Sequence, residues 1–281
     1  MHRHLLLFVF LATGLVRLAI SGQASDSRNG LAIEYKLLST SATLHEPILL
    51  RVTISNYRDN VARVNLGQDR RQAFELSIGK PDGKVVTLSL DLHEGASRLP
   101  VVEIAPGDSY TETLVLDQWF LFPEVGNYRI KVHLVRVQGS KEELPVDFGS
   151  WSALPSVDVL PRDPARLIAL CEELKVKLET SNVYAELGEA GLELSYVDDP
   201  IAVPYLQEMA LLKYGMLAVL AAEGLERVDG DAGVEALIAL SKESRVEIKS
   251  PARYSLWQLG QTTKDPALKE RIRQALEEQQ N

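Results

Sequence analysis

Cysteine is almost absent from this chain of 281 residues: Cys171 stands alone. One thiol cannot close an intramolecular bridge, so the fold does not depend on disulfides, and no cysteine pair exists to hold zinc. Cys171 lies in "ARLIALCEELKVKL", on the face shared by Leu167, Leu170, Leu174 and Leu178, where a small buried hydrophobe is expected. A catalytic cysteine needs a histidine partner, and no histidine follows Cys171 in the sequence. Histidine is scarce as well. Beyond the first residues only His45, His93 and His133 remain, 48 and 40 residues apart, none with a partner at metal-ligand spacing. His45-Glu46 and His93-Glu94 are expected in turns between strands. No metal and no cofactor is expected.

Basic charge is also in deficit. Thirty Lys and Arg face 39 Asp and Glu, and no Lys/Arg-rich run or basic-aromatic interleaving occurs, which excludes nucleic acid as an expected partner. Long hydrophobic runs are missing apart from residues 5–16 in "MHRHLLLFVFLATGLVRLAISGQASDS". That run is shorter than the roughly 20 residues a membrane span needs. With Arg3 before it and Gly22 and Ala24 after it, the layout is that of a secretory signal cleaved near Ala24. Arg17 interrupts the pattern, and an uncleaved N-terminal anchor is the alternative. No cysteine follows the cleavage region, which argues against a lipid-anchored form. Cleavage removes Arg3 and Arg17 and leaves 28 basic against 39 acidic residues. The expected product is exported, periplasmic or secreted, and bacterial, with no stable membrane span once the signal is gone.

Catalytic motifs are lacking too. No Gly-x-Ser-x-Gly elbow, phosphate-cradling glycine loop or dinucleotide fingerprint appears. Ser77-Ile78-Gly79-Lys80 matches a Ser-x-x-Lys pattern but runs from a strand into a turn, where that chemistry places its serine at a helix start. Asp229-Gly230-Asp231 opens like a calcium loop, yet "AGVEAL" follows at once as helix, so a capped helix start is expected instead. Glu142-Glu143, Glu172-Glu173 and Glu277-Glu278 read as solvated faces. Trp119 and Trp151 fall near turns and are expected to pack there rather than to form a carbohydrate platform.

What is present divides by period. Residues 31–160 alternate as strands do, with turn signals every eight to twelve residues. "PILLRVTISN" places Ile48, Leu50, Val52 and Ile54 on one face. "AFELSIGKPDGKVVTLSL" is a hairpin around Lys80-Pro81-Asp82-Gly83, and "APGDSYTETLVLDQW", "VGNYRIKVHLVRV" and "PSVDVL" supply further strands. Seven to nine short strands in this length predict a two-sheet antiparallel sandwich. "EPILLRVTISNYRDN" and Gly126-Asn127-Tyr128-Arg129-Ile130-Lys131-Val132 resemble strands of immunoglobulin-like exported domains, and that resemblance implies a Tyr128 hydroxyl bonded back to the preceding loop.

Beyond "PRDPARL", where Asp163 is placed to cap, apolar residues recur at three and four. A shift of 31 residues superposes Ala190, Leu194 and Val197 on Ala221, Leu225 and Val228, and again on Ala252, Leu256 and Leu259. Val203, Leu206 and Met209 fall on Val234, Leu237 and Leu240, and Asp198 falls on Asp229. "DDPIAVPYLQ" then poses a problem, because a proline inside a helix costs about 3 kcal/mol and this stretch holds Pro200 and Pro204. The stretch resembles the opening of HEAT-like repeats of the phycobilisome-lyase type. That likeness implies Asp-Pro in the turn, and both prolines within a turn or first helical turn, where amides have no partner in any case. It carries no lyase activity to this chain.

The fold expected is therefore multidomain, all-β plus all-α: signal peptide 1–24, an immunoglobulin-like antiparallel β-sandwich over residues 25–160, and a short HEAT-like α-solenoid over residues 161–281. Arg253, Tyr254 and Trp257 are the candidate binding residues. They align with Ala222, Glu223 and Glu226, and these types are enriched at binding hot spots. The alternative places Trp257 under the last helix, against Ile272 and Leu276. The leading functional reading is an exported, non-enzymatic protein that binds another protein. Two alternatives stay open. One is a regulator of exported proteases acting through "LDQWFLFPEVG" (residues 116–126). The other is a glycan-active enzyme, which requires two carboxylates roughly 5–9 Å apart.

Overall fold

A computed structural model describes residues 23–28, 30–67, 69–88, 101–135, 150–228 and 230–277. Most of the leader, His93-Glu94, Glu142-Glu143, Asp229 and Glu278 lie outside the described residues. The strands are β1 (Gln23–Arg28), β2 (Leu31–Leu37), β3 (Ser41–Thr43), β4 (Leu49–Asn56), β5 (Ala62–Asn65), β6 (Phe74–Gly79), β7 (Val85–Leu88), β8 (Val101–Ile104), β9 (Ser109–Val115), β10 (Gly126–Leu134), β11 (Ser152–Ala153) and β12 (Val157–Leu160). The helices are α1 (Pro164–Thr180), α2 (Tyr184–Ser195), α3 (Val203–Leu211), α4 (Gly215–Arg227), α5 (Asp231–Leu240), α6 (Val246–Thr262) and α7 (Pro266–Glu277).

Local chemistry accounts for most of these elements. Ile48, Leu50, Val52 and Ile54 are all buried, as a period of two requires of a strand with one face on a core. The β6–β7 hairpin turns through Pro81 and a left-handed Gly83, and Lys80 and Lys84 close it backbone to backbone. Tyr128 is fully buried, and its hydroxyl donates to the Glu124 carbonyl at 3.0 Å while accepting from the Glu124 amide at 3.2 Å. Asp163 caps α1 through the amides of Ala165 and Arg166, with Pro164 at the first helical position. Asp199 caps a short 3-10 turn, Pro200–Ala202, by accepting from the Ile201 amide. Pro204 is the second residue of α3. Both prolines thus sit where no intrahelical donor is lost.

The expected sandwich followed by a separate solenoid does not hold. The described strands form three sheets, not two faces of one sandwich: β1-β2-β4-β9, then β3-β12-β10-β6-β7 with β11 beside β10, and the pair β5-β8. One pairing, β3 with β12, is parallel. The seven described helices pack chiefly on one another, α2 meets β9, and the helical core takes in Val115 of β9, with Leu49 of β4 packed against it. The chain is a mixed α and β molecule. Periodicity reports which residues of an element are apolar, but not which neighbour covers them. Leu49 and Val115 therefore carry no sign in the sequence that helices cover them.

Polar contacts close the junction between strands and helices. Thr43 Oγ1 donates to the Pro161 carbonyl at 2.6 Å and accepts from the Asp163 amide at 2.7 Å. Arg166 reaches back to Glu46 and to the Ser41 carbonyl. Among the helices, α2, α4 and α6 lie side by side as one layer, while α1, α3, α5 and α7 follow one another in a second. Among the described residues no helix is long and apolar enough to cross a membrane.

Candidate functional site

Helix α6 carries the three residues singled out in the sequence. Ile248, Ala252, Ser255, Leu256 and Gly260 are buried and fix its inner face. Ser250, Tyr254, Trp257 and Gln261 recur at intervals of four, three and four, which puts them on the opposite face, and all four are exposed. Tyr254 is 56% exposed and Trp257 49%. Their ring centroids are 5.9 Å apart with the planes inclined by 34°, and the Gln258 side-chain amide donates to Tyr254 Oη at 3.1 Å. Two adjoining rings with much of their area in water form a shelf.

Arg253 belongs elsewhere. Its guanidinium donates to the Leu276 carbonyl at 3.3 Å, tying α6 to the end of α7. The structure therefore joins Tyr254 to Trp257 and turns Arg253 toward the last helix. Ile272, an expected alternative neighbour of Trp257, is buried in the helical core and approaches Gly260, where an added Cβ would lie 3.4 Å from its Cγ2.

One repeat earlier, on α4, the same positions are Glu223 and Glu226, and the setting differs. Burial pushes both carboxyls above the ordinary range, with Arg227 and Arg71 opposing the shift at Glu223 and the Ser255 hydroxyl opposing it at Glu226. Arg71 comes from the turn before β6. Arg227 stacks on the Tyr196 ring at 4.0 Å and donates to the Ser195 carbonyl at 3.0 Å. At α2 this layer meets β9, and at α4 Glu223 feels the charge of Arg71 from the turn before β6. At α6 the corresponding positions carry bare aromatic rings.

The junction holds groups that sequence reasoning missed. His45, expected as an exposed turn residue, is the one described non-glycine with positive φ (72°), and its Nδ1 lies 2.9 Å from Asp198 Oδ1. Burial pushes the Asp117 carboxyl up to about 8, although the Ile48 amide donates to it at 2.7 Å. Burial likewise pushes Glu193 up to about 7. Glu193 lines a cavity of about 90 Å³ with Leu38, Ile48, Leu49, Leu170 and Glu46. Glu46 is already occupied by Arg166 and the Thr43 amide. No pattern of spacing could have joined residues 45, 117, 193 and 198, because only the docking of helices on strands brings them near one another.

Residues 116–126 are fastened inward. Leu116 and Phe122 are buried, the Trp119 indole donates to the Phe74 carbonyl at 2.9 Å, and Phe122 meets Tyr128 edge to face at 5.1 Å. Leu121 and Val125 remain exposed. Trp151 is 40% exposed and lies 5.4 Å from the His133 ring. Ser77 stands in the middle of β6, paired with Thr87 and Lys131, not at a helix start. Among the described residues no group of three or more His, Cys, Asp or Glu is placed to hold a metal ion.

Neither a protein-family model nor a curated protein matches the chain. Among solved structures, similarity extends to a β-glucosidase from Listeria innocua in complex with isofagomine, at 16% identity and a TM-score of 0.29 over 47% of this chain. It extends also to the alkylpurine DNA glycosylase AlkC of Pseudomonas fluorescens bound to DNA with an abasic site analog, at 13% identity and a TM-score of 0.25 over 49% of this chain. The chain spans 16% of the length of the first and 32% of the second. Likenesses this slight carry no argument about fold or activity.

Proposed function

We propose that this chain is an exported, non-enzymatic protein that binds another protein through the outer face of α6. The observation that carries the reading is the Tyr254–Trp257 pair, half in water and in mutual contact at 5.9 Å. Tryptophan and tyrosine combine large apolar area with few rotatable bonds, so burying them against a partner gains much and costs little ordering. The equivalent positions on α4 are the half-buried carboxylates Glu223 and Glu226 instead.

The test uses the full-length protein as bait against the secreted and envelope proteins of its host, with Trp257→Ala in parallel. The expected result is a specific partner captured by the native chain and lost by the variant. A partner held equally by both would refute this placement of the site. The leader belongs to the same reading: intact-mass analysis of protein recovered outside the cytoplasm should give a chain beginning after residue 24.

A further inference from the structure

We infer that the cavity at the junction of strands and helices holds a primary alkylammonium group on a short chain, with Glu193 as its counter-ion. This site is separate from the α6 face and does not rest on it. The cavity, of about 90 Å³, lies where the connections on either side of β3 meet α1 and α2. Ala42, Ile48 and Val157 are buried and give it an apolar floor, with Leu170 of α1 beside them. Leu38 and Ser39, both exposed, mark its mouth.

Two carboxylates line the cavity, and they differ. Glu46 receives Arg166 Nε at 2.6 Å and the Thr43 amide at 2.8 Å, so its charge is answered. Among the described residues no hydrogen bond or ion pair reaches the Glu193 carboxylate, which is half-buried on α2. Lys177 attracts it from α1, but that ammonium is held by Glu173 at 2.7 Å. Glu173, Glu189 and Glu46 all add negative charge around it. A carboxylate withdrawn from water without a partner is costly, and a cation that brings its own hydrogen-bond donors relieves the cost.

The lining also selects the form of the cation. It contains no Trp, Tyr or Phe, so there is no aromatic cage for a quaternary ammonium. A hard metal ion calls for six or more oxygen ligands and gains nothing from apolar walls. A primary ammonium carries three donors on a compact head, which suits the Glu193 oxygens and the hydroxyls of Ser39 and Ser41 on the same lining. An apolar cavity of about 150 Å³ takes benzene, so one of about 90 Å³ takes about four heavy atoms. n-Butylammonium fits with one end at the mouth, and so does the end of a lysine side chain, which has the same head and the same alkyl body.

Burial pushes Glu193 up to about 7, so the carboxyl must ionise to receive the cation. An alkylammonium stays charged to about pH 10. Affinity should therefore rise about tenfold between about pH 6 and pH 8, as the ionised fraction of Glu193 does.

The experiment titrates the full-length protein with n-butylammonium chloride at pH 8, following ligand and protein by NMR. Saturable one-to-one binding is expected, at least tenfold weaker for n-butanol, butyrate and tetramethylammonium, and at least tenfold weaker in Glu193→Gln. The rise with pH should vanish in that variant. Leu38→Arg, at an exposed position that the fold tolerates, sets a guanidinium at the mouth and should also weaken binding at least tenfold. Nα-acetyl-lysine methylamide, run in parallel, separates the two sources. Tighter binding than n-butylammonium assigns the group to a lysine on a partner protein, and weaker binding assigns it to a free amine. No saturable binding of either ammonium, equal binding of n-butanol, or binding unchanged in Glu193→Gln would each overturn the inference. Thermal unfolding of each variant confirms that it is folded. Capture of a native partner through Trp257 does not involve Glu193, so the two proposals fail separately.

Discussion

Asp199→Ala is the substitution that most directly examines how "DDPIAVPYLQ" is held. Asp199 is 1% exposed, caps the Pro200–Ala202 turn through the Ile201 amide at 3.0 Å, and takes the Arg162 guanidinium on both oxygens at 2.6 and 3.0 Å. Losing an N-cap costs about 0.5–2 kcal/mol. Stripping one partner from a fully buried ion pair costs about 3–5 kcal/mol. The Arg162 side chain is 44% exposed and water takes over part of its charge, so that second contribution shrinks to about 1–2 kcal/mol. The expected loss is about 1.5–4 kcal/mol, or roughly 3–16 °C in unfolding midpoint for a chain of this size. Urea unfolding with an unchanged slope is the assay. Asp199→Asn keeps an oxygen for Ile201 but not the charge, and should fall between the native chain and the alanine variant. The Arg162 hydrogen bonds hold the Asp199 carboxyl below its ordinary value. Its stabilisation is therefore complete above about pH 4 and lost as pH falls through the lower folded value, so the gap between native and variant must close in acid. A loss under about 1 kcal/mol at pH 7, or a gap that widens in acid, would refute the reasoning.

Arg70 and Glu112 form an ion pair at 2.7 Å with side chains only 4% and 8% exposed. Arg70→Met alone should destabilise by about 3–5 kcal/mol, and the double variant Arg70→Met with Glu112→Leu by much less, in a double-mutant unfolding cycle. Burial pushes the Cys171 thiol up to about 12, so a thiol reagent at pH 8 should label it only under unfolding conditions; rapid labelling of the folded chain would contradict its place in the helical core. Burial raises Asp117 to about 8, above its unfolded value of about 3.9. Its contribution is present below that unfolded value and declines as pH rises toward 8, so Asp117→Asn, which preserves an acceptor for Ile48, should flatten the fall of melting temperature between about pH 5 and 8. Identical profiles for the two proteins would dismiss the buried acid.

Much of the local structure was legible because short-range physics decides it. Alternation in "PILLRVTISN" corresponds to burial of Ile48, Leu50, Val52 and Ile54, and the repeat at 31 residues corresponds to buried Ala190, Ala221 and Ala252 on α2, α4 and α6. The exposure of Tyr254 and Trp257 did not follow from that register, because Glu223 and Glu226 at the equivalent positions of α4 are half-buried. Nor did the place of Arg253, whose destination is the Leu276 carbonyl on α7, twenty-three residues on. The assembly of strands into three sheets, with β3 parallel to β12, has no signature in any single strand.

The sequence by itself determined the elements, their caps and turns, and which residues of each had to leave water. Those follow from backbone preference and from periods of 2 and 3.6, and both are read within a dozen residues. Only the tertiary structure decided that the helices dock on β4 and β9 through Leu49 and Val115, and that His45 meets Asp198 across a junction where burial raises the Asp117 carboxyl. It likewise decided that Glu223 and Glu226 on α4 are half-buried while Tyr254 and Trp257, at the equivalent positions of α6, stay exposed. Apolar burial is non-directional, and an amphipathic face accepts any surface of matching shape, so the choice among partners is made by the whole chain at once.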